Sequence, residues 1–459
     1  MATYYDLVII GAGPGGYTAA IKGASFGMKV AVVDENKLGG VCINRGCIPT
    51  KALLHASNIF SMMQHGDEFG VSTDFISFDF AKMQDYKKRS VRRYRDEIQK
   101  LFDKNNITFI KGKATIRREK TIEVVGESGK EYLRAKNIII ATGAKPIMPN
   151  IPGINLPGVI NSDRLLAVPT WNYDRIVIMG GGVIGVEFAT IFQALCSKVT
   201  IVEKGPHLLG PMDEEVSEAL KEQLVKKGIT VYCNAMVEEI QREEGLVCTV
   251  RHLLTDETTQ IKTNQVVVAV GRAPYTEGLL GEDMSLQIEH GRPVVNADFE
   301  TSEPGIYAIG DVSAKTQLAH VAMAQATYVI ENLAGKPHTI RLEAVPNGMF
   351  VSLPIVPSCI YTEPEIATVG LTEAKAGELG MKVRCGVYDM GENGKSIIAR
   401  EEHGFIRLIF EAYSNTIVGA QMMCPRATDM IGEMATAIAN GLTAEQLSLA
   451  MRAHPTYSE

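Results

Sequence analysis

One pattern occurs twice in the 459 residues, and it restricts the fold more than any other feature. An apolar run, Tyr5 to Ile10, feeds GAGPGG, which sets Gly11, Gly13 and Gly16 in GxGxxG register. A helical stretch follows, then a second apolar run, VAVV, ending at Asp34. Later, Arg175 to Met179 feed GGGVIG, with Gly180, Gly182 and Gly185 in the same register, and VTIV ends at Glu203. First glycine and acid stand 23 residues apart in both copies (11 to 34, 180 to 203). In such a unit the first glycine allows a tight turn and the second lets backbone approach a pyrophosphate. The third lets the helix pack close to its strand, so that the helix N-terminus faces the phosphates. The acid accepts hydrogen bonds from a ribose diol. A lone GxGxxG is weak; two strand-flanked copies with matched acids predict an α/β chain with two Rossmann-like dinucleotide-binding domains.

The second acid narrows the choice of cofactor. Glu203 is followed by Lys204 and Gly205 rather than by an arginine cluster, so a 2′-phosphate would meet an unopposed carboxylate. NAD is expected there rather than NADP. FAD, which exchanges electrons with NAD, is the expected occupant of the first unit. NIIIATGAKP, which contains Gly143, and QVVVAVGRAP, which contains Gly271 and Arg272, read as strands ending in glycine turns that lead from one nucleotide unit to the next.

Between the two fingerprints lies LGGVCINRGCIPTK, with Cys42 and Cys47 around Gly46. A covalent staple, a metal clip and a working redox pair are the three candidates. Zinc sites usually add a second ligand pair, and none follows here. On an ideal helix residues five apart lie about 8–9 Å apart, and a disulfide needs Cα atoms within about 7 Å. The segment must therefore bend, and Gly46 is the place for it. Helical character from Pro49 onward puts Cys47 near a helix N-terminus, where the dipole favours a thiolate. The other six cysteines, Cys196, Cys233, Cys248, Cys359, Cys385 and Cys424, are isolated and read as small packing residues.

Composition excludes several classes. A net charge of −7 argues against a nucleic-acid partner. The one basic run, KKRSVRRYR from Lys87 to Arg95, is followed by Asp96 and Glu97 and reads as a solvated helix face. No stretch is apolar for long enough to span a membrane, and YYDLVIIGAG reads as a buried strand rather than a signal peptide. A reducing cytoplasm is the expected compartment.

Taken together, GGVCINRGCIPTK, the two fingerprints, YAIGDVS with LAH, and the terminal RAHPTYSE resemble the pyridine nucleotide-disulfide oxidoreductases across essentially the whole chain. The similarity is greatest to the branch that oxidises dihydrolipoyl groups with NAD⁺. It implies a redox disulfide between Cys42, the thiol that meets the substrate, and Cys47, the thiol that meets the flavin. It implies Lys51 beside the flavin, paired with Glu187. Asp311 would bind the ribityl chain, Ala319 the flavin ring edge, Ala114 the adenine, and Gly143 the same cofactor. Val237, Gly271 and Arg272 would line the NAD site. The acid–base group would be His454, supported by Glu459. Histidine suits that task near neutral pH, because dithiol oxidation needs a proton acceptor. The resemblance further implies a homodimer in which this tail completes the partner's site, and a lipoyl-bearing carrier protein or complex core as substrate.

Four domains are expected: FAD-binding over 1–150, NAD-binding over 151–272, a central domain over 273–341 that completes the FAD site, and an α+β dimerisation domain over 342–459. The chain departs from the family at Gln325-Ala326, where a glutamate–glycine pair is common, and in a longer connection between Lys336 and Pro357. Glu203 and HPTYSE disfavour a glutathione-reducing relative, and no terminal cysteine pair suits mercuric ion. The intact Cys42, Cys47 and His454 disfavour a non-catalytic scaffold subunit.

Overall fold

A computed structural model describes residues 3–72, 74–127, 129–167, 173–339 and 355–459. Strand β1 (Thr3–Ile10) pairs in parallel with β2 (Val30–Asp34) on one side and with the end of β6 (Gly129–Ile140) on the other. Beyond β2 lies β3 (Thr108–Lys111), and beyond β6 lies the strand Ile306–Ala308, both parallel. Leu7–Ile10 of β1 and Val30–Val33 of β2 are buried, as expected of parallel strands covered on both faces. The first half of β6 leaves this sheet and forms an antiparallel meander with β5 (Thr121–Gly126) and β4 (Lys113–Arg117).

The second nucleotide unit repeats that plan strand for strand. Thr230–Tyr232, Lys198–Val202, Arg175–Met179, Gln265–Val268 and Val159–Asn161 stand in this order, all parallel. A three-stranded antiparallel meander, Ala235–Arg242, Leu246–His252 and Thr258–Thr263, is inserted at the equivalent place. The duplication written in the glycines is therefore a duplication of whole sheets. Ile306–Ala308, late in the chain, returns to the first sheet, and the helix Ala319–Leu333 packs on α1 (Pro14–Ser25). Residues 358–424 supply a five-stranded antiparallel sheet, on which the helix Ala427–Ala439 lies. The expected boundary at 341 and 342, and most of the long connection, fall outside the described residues.

Three helices position the site. α2 (Gly40–Arg45) carries Cys42, α3 (Cys47–Gln64) begins at Cys47, and α4 (Phe80–Lys104) packs against both. One apolar core joins Leu53 and Leu54 of α3 to Val186 and Ile191 of the second unit and to Ile360 and Ile366 of the last sheet. Among the described residues no helix is long and apolar enough to cross a membrane.

Candidate active site

A single cavity of about 1590 Å³ runs between the two nucleotide units. Small-molecule sites usually occupy about 300–1,000 Å³, so this one has room for more than one ligand. It opens at the carboxyl ends of the parallel strands, where this fold binds nucleotides.

The two fingerprints form its opposite walls with matching geometry. Gly11 (φ +108°) and Gly180 (φ +105°) take backbone conformations that side chains rarely adopt. At Gly16 an added Cβ would sit 1.9 Å from the Gly11 carbonyl oxygen, and at Gly185 it would sit 2.0 Å from that of Gly180. These two glycines let helix meet strand and do not themselves line the cavity. Gly13 and Gly182 behave differently. Each is the N-cap of its helix with no side chain capping it, and each faces open space in the cavity wall. The amides of both helix N-termini are thus left for a ligand, as a pyrophosphate requires.

The paired acids are fixed in the same manner. Asp34 accepts the Ala12 and Asn36 amides at 2.7 Å each, and Glu203 accepts those of Gly181 and Gly205 at 2.6 Å each. Burial holds the Asp34 carboxyl above its ordinary pKa, against the opposing pull of the two amides. Both acids line the cavity with lone pairs to spare. Open glycine cradles, free helix amides and anchored acids together fit one dinucleotide on each side.

Cys42 and Cys47 lie on the cavity wall between these half-sites. The bend expected at Gly46 is present, and it leaves little room for a side chain. Gly46 has φ −144°, and a Cβ there would stand 3.1 Å from the Val41 oxygen and 3.2 Å from Cys42 Cα. Both cysteines are thiols. A hydrogen bond from the Cys42 thiol, assisted by the Lys51 ammonium, lowers the Cys47 pKa to about 7. The same bond, with burial, pushes the Cys42 thiol far up. Cys47 is therefore the more acidic thiol of the pair, the one that ionises first.

Lys51 lies one turn beyond Cys47. Its Nζ donates to both Glu187 oxygens at 2.8 Å, an ion pair that crosses from α3 to the helix Val183–Ala194. Tyr361, at the start of the last domain, also meets this pair. Its amide donates to Glu187 Oε1 at 3.2 Å, and the Lys51 ammonium stands 4.4 Å from its ring centroid. Nothing in the spacing of SCIYTEPEIATVG marks Tyr361, because its partners are more than a hundred residues away. Tyr361→Leu is expected to loosen Lys51 and raise the Cys47 midpoint by up to about one pH unit, while Tyr361→Phe leaves it near 7. Thiolate absorbance of the reduced protein against a Cys47→Ser reference measures this. An unmoved midpoint in the Leu variant would mean that Glu187 alone holds the lysine.

The other predicted residues fall into two groups. Ala114, Gly143, Gly271, Arg272, Asp311 and Ala319 all line the cavity. Ala319 opens its helix with uncapped amides, and Arg272 bonds Asp163 at 3.2 Å and the Ala144 carbonyl at 2.6 Å. Burial raises the Asp311 pKa, and Gly310 before it donates its amide to the Gln325 side chain at 2.7 Å. The glutamine that departs from the family pattern therefore fastens this turn. Val237 is not brought to the cavity: its strand alternates, and the side chain is buried in a core with Val202 and Val250. Nor is His454, whose exposed ring is bonded through Nδ1 to Glu459 at 2.8 Å.

Of the six cysteines read as packing residues, Cys248 and Cys424 are buried. Cys196 and Cys385 are exposed, Cys385 on a sheet-edge strand with little cover. Cys359 borders the cavity, its thiol pushed up to about 11 by burial.

Residues 5–326 match the family model for pyridine nucleotide-disulphide oxidoreductases, and residues 356–459 match that family's dimerisation domain. A dihydrolipoyl dehydrogenase of Geobacillus stearothermophilus is 35% identical over 99% of this chain and 94% of its own length. One from Chlorobaculum parvum is 37% identical over 99% and 95%. Among solved structures, the HOCl-induced flavoprotein disulfide reductase RclA of Escherichia coli, in its Cu(II) complex, is 28% identical. It superposes with a TM-score of 0.85 over 100% of this chain and 98% of its own. Two dinucleotide cradles facing one dithiol, with a dimerisation domain behind them, agree with these similarities: the chain belongs to the pyridine nucleotide-disulphide oxidoreductase family.

Proposed function

We infer that this protein is a dihydrolipoyl dehydrogenase, which oxidises protein-bound dihydrolipoyl groups to lipoyl groups and reduces NAD⁺ to NADH with FAD as cofactor. The observation that carries this reading is the position of the Cys42–Cys47 pair between two dinucleotide cradles in one cavity. Full-length similarity to dihydrolipoyl dehydrogenases supports the choice of substrate.

The balance is one dithiol and one NAD⁺ giving one disulfide, NADH and a proton. With the pair as a disulfide, a substrate thiolate attacks Cys42 Sγ, the Cys42–Cys47 bond breaks, and Cys47 leaves as a thiolate. The low Cys47 pKa makes it the better leaving group. The second substrate thiol, losing its proton to a base, then attacks the first substrate sulfur; the bond to Cys42 breaks, and the departing Cys42 thiolate takes up the proton the base carries. A flavin held at Gly11, Gly13 and Asp34 would supply the two-electron relay between this dithiol and NAD⁺ in the second cradle.

His454 supplies the base in this reading. Glu459 holds Nδ1, which leaves Nε2 to take the proton. Since His454 stands away from the cavity of its own chain, we assign it to the cysteines of a second copy in a homodimer. A cytoplasmic location and a lipoyl-bearing carrier on another protein complete the proposal.

Purified protein should reduce NAD⁺ with dihydrolipoamide, and should not reduce oxidised glutathione with NADH. The reverse result overturns the reading. In the same assay, Glu203→Ala should shrink the preference for NAD⁺ over NADP⁺ by about 1–3 kcal/mol, the worth of hydrogen bonds to a charged group. An unchanged ratio of kcat/KM values would place the discrimination elsewhere.

A further inference from the structure

The basic run set aside above as a solvated face lies close to the substrate thiol. α4 carries nine Lys and Arg against four Asp and Glu, in a chain whose net charge is −7. Lys88 and Lys100 are tied to Asp85 and Glu97 at 3.3 and 2.7 Å. Among the described residues Arg89, Arg92 and Arg93 are exposed and make no ion pair, although Arg93 also attracts Glu97 weakly. At spacings of three and four they share one helix face, along which Asp96 is the next acid.

One turn of helix connects that face to the redox pair. Arg95 donates to Asn44 Oδ1 at 3.4 Å, and Asn44 belongs to α2, the helix of Cys42. Tyr94, about half exposed, meets the buried Tyr17 phenol, which in turn senses Cys42 more strongly than Cys47. Neither tyrosine lines the nucleotide cavity, although both cysteines do. Cys42 is thus placed between the cavity and the buried Tyr17, with the exposed Tyr94 and the arginines of α4 on the far side of that phenol.

We propose that the Arg89, Arg92 and Arg93 face of α4 is the docking surface for an acidic lipoyl-bearing carrier domain, whose dithiol reaches Cys42 past Tyr94. The inference rests on the dihydrolipoyl reading above. Three exposed guanidinium groups against a negative overall charge select an acidic partner and accelerate its encounter. A free dithiol has no charge for them to act on.

The test compares three substrates of the flavin-loaded enzyme: free dihydrolipoamide, a reduced lipoylated domain of net negative charge, and one of net positive charge. For an enzyme with Arg89→Glu, Arg92→Glu and Arg93→Glu, kcat/KM for the acidic domain should fall at least about tenfold at low salt. Its dependence on salt should flatten, and kcat/KM for free dihydrolipoamide should stay within about twofold. The milder Arg→Gln triple variant should fall between. Equal losses for all three substrates, or no loss for the acidic domain, would overturn the proposal. So would a face that retains the protein on anionic lipid vesicles while leaving carrier turnover unchanged. A wild-type enzyme inactive on free dihydrolipoamide would instead bring down the functional reading itself, with this inference.

Discussion

Subunits carrying Cys42→Ser and subunits carrying His454→Gln, each inactive alone, should regain turnover when exchanged into mixed dimers. Removing Cys42 deletes the sulfur that the substrate attacks, so that parent should lose at least about a thousandfold in kcat. His454→Gln removes the proton acceptor, and a general base contributes about 10²–10⁴-fold. In a random mixture half of the dimers are heterodimers, and each holds one site assembled from the unmutated halves. The recovered rate should approach a quarter of the wild-type rate per chain. Native mass spectrometry establishes that heterodimers form, and dihydrolipoamide-dependent NADH production reads the recovery. Mixed dimers that stay inactive would return His454 to its own chain or remove it from the chemistry. The position of His454, exposed and held by Glu459 away from the cavity, is what makes the experiment decisive.

The second large effect separates the glycines of one motif. Gly16→Ala would place a methyl 1.9 Å from a backbone oxygen that has no rotamer by which to retreat. Helix α1 must shift away from β1, and a destabilisation of about 3 kcal/mol or more is expected, at the upper end for overpacking. Gly13→Ala meets nothing nearer than 3.9 Å, so the apoprotein should melt at the wild-type temperature. Its methyl instead enters the space a pyrophosphate needs, and FAD affinity should fall by about 2 kcal/mol, some thirtyfold. Gly182→Ala, open in the same way, should raise the KM for NAD⁺ and leave the flavin content alone. Calorimetry of the apoprotein and the ratio of flavin to protein absorbance distinguish these outcomes. Equal losses of stability at positions 13 and 16 would contradict the division of roles.

The features legible in the sequence are those whose partners are close along the chain. Each glycine turn, the helix after it and the acid 23 residues on make one local unit, so spacing alone specified the two cradles. The helix N-terminus at Cys47 was readable for the same reason. Glu187 and Asp311 came only through family resemblance, since nothing in their neighbourhoods distinguishes a buried acid from a helix cap. Tyr361 was missed altogether, because it meets Lys51 and Glu187 by packing between domains. The cysteines show a further limit. Cys385 and Cys424 look alike in sequence, yet one lies on a sheet edge and the other at its centre. Only the order of strands in the sheet separates them.

The Lys51–Glu187 ion pair also bears on how the molecule moves. It joins residues 136 positions apart, one from each nucleotide unit, and it is roofed by Tyr361 from a third. The pair is part-buried, so removing Lys51 would strand the mostly buried Glu187 carboxylate, and the apolar core shared by α3 and the helix Val183–Ala194 tightens the same joint. A joint fastened in this way resists hinge motion between the two units. The two cradles are expected to keep a nearly constant separation as the nicotinamide carrier comes and goes, which solution scattering with and without NAD⁺ would check. On that expectation the carrier threads in along the cleft rather than being clasped by closing lobes.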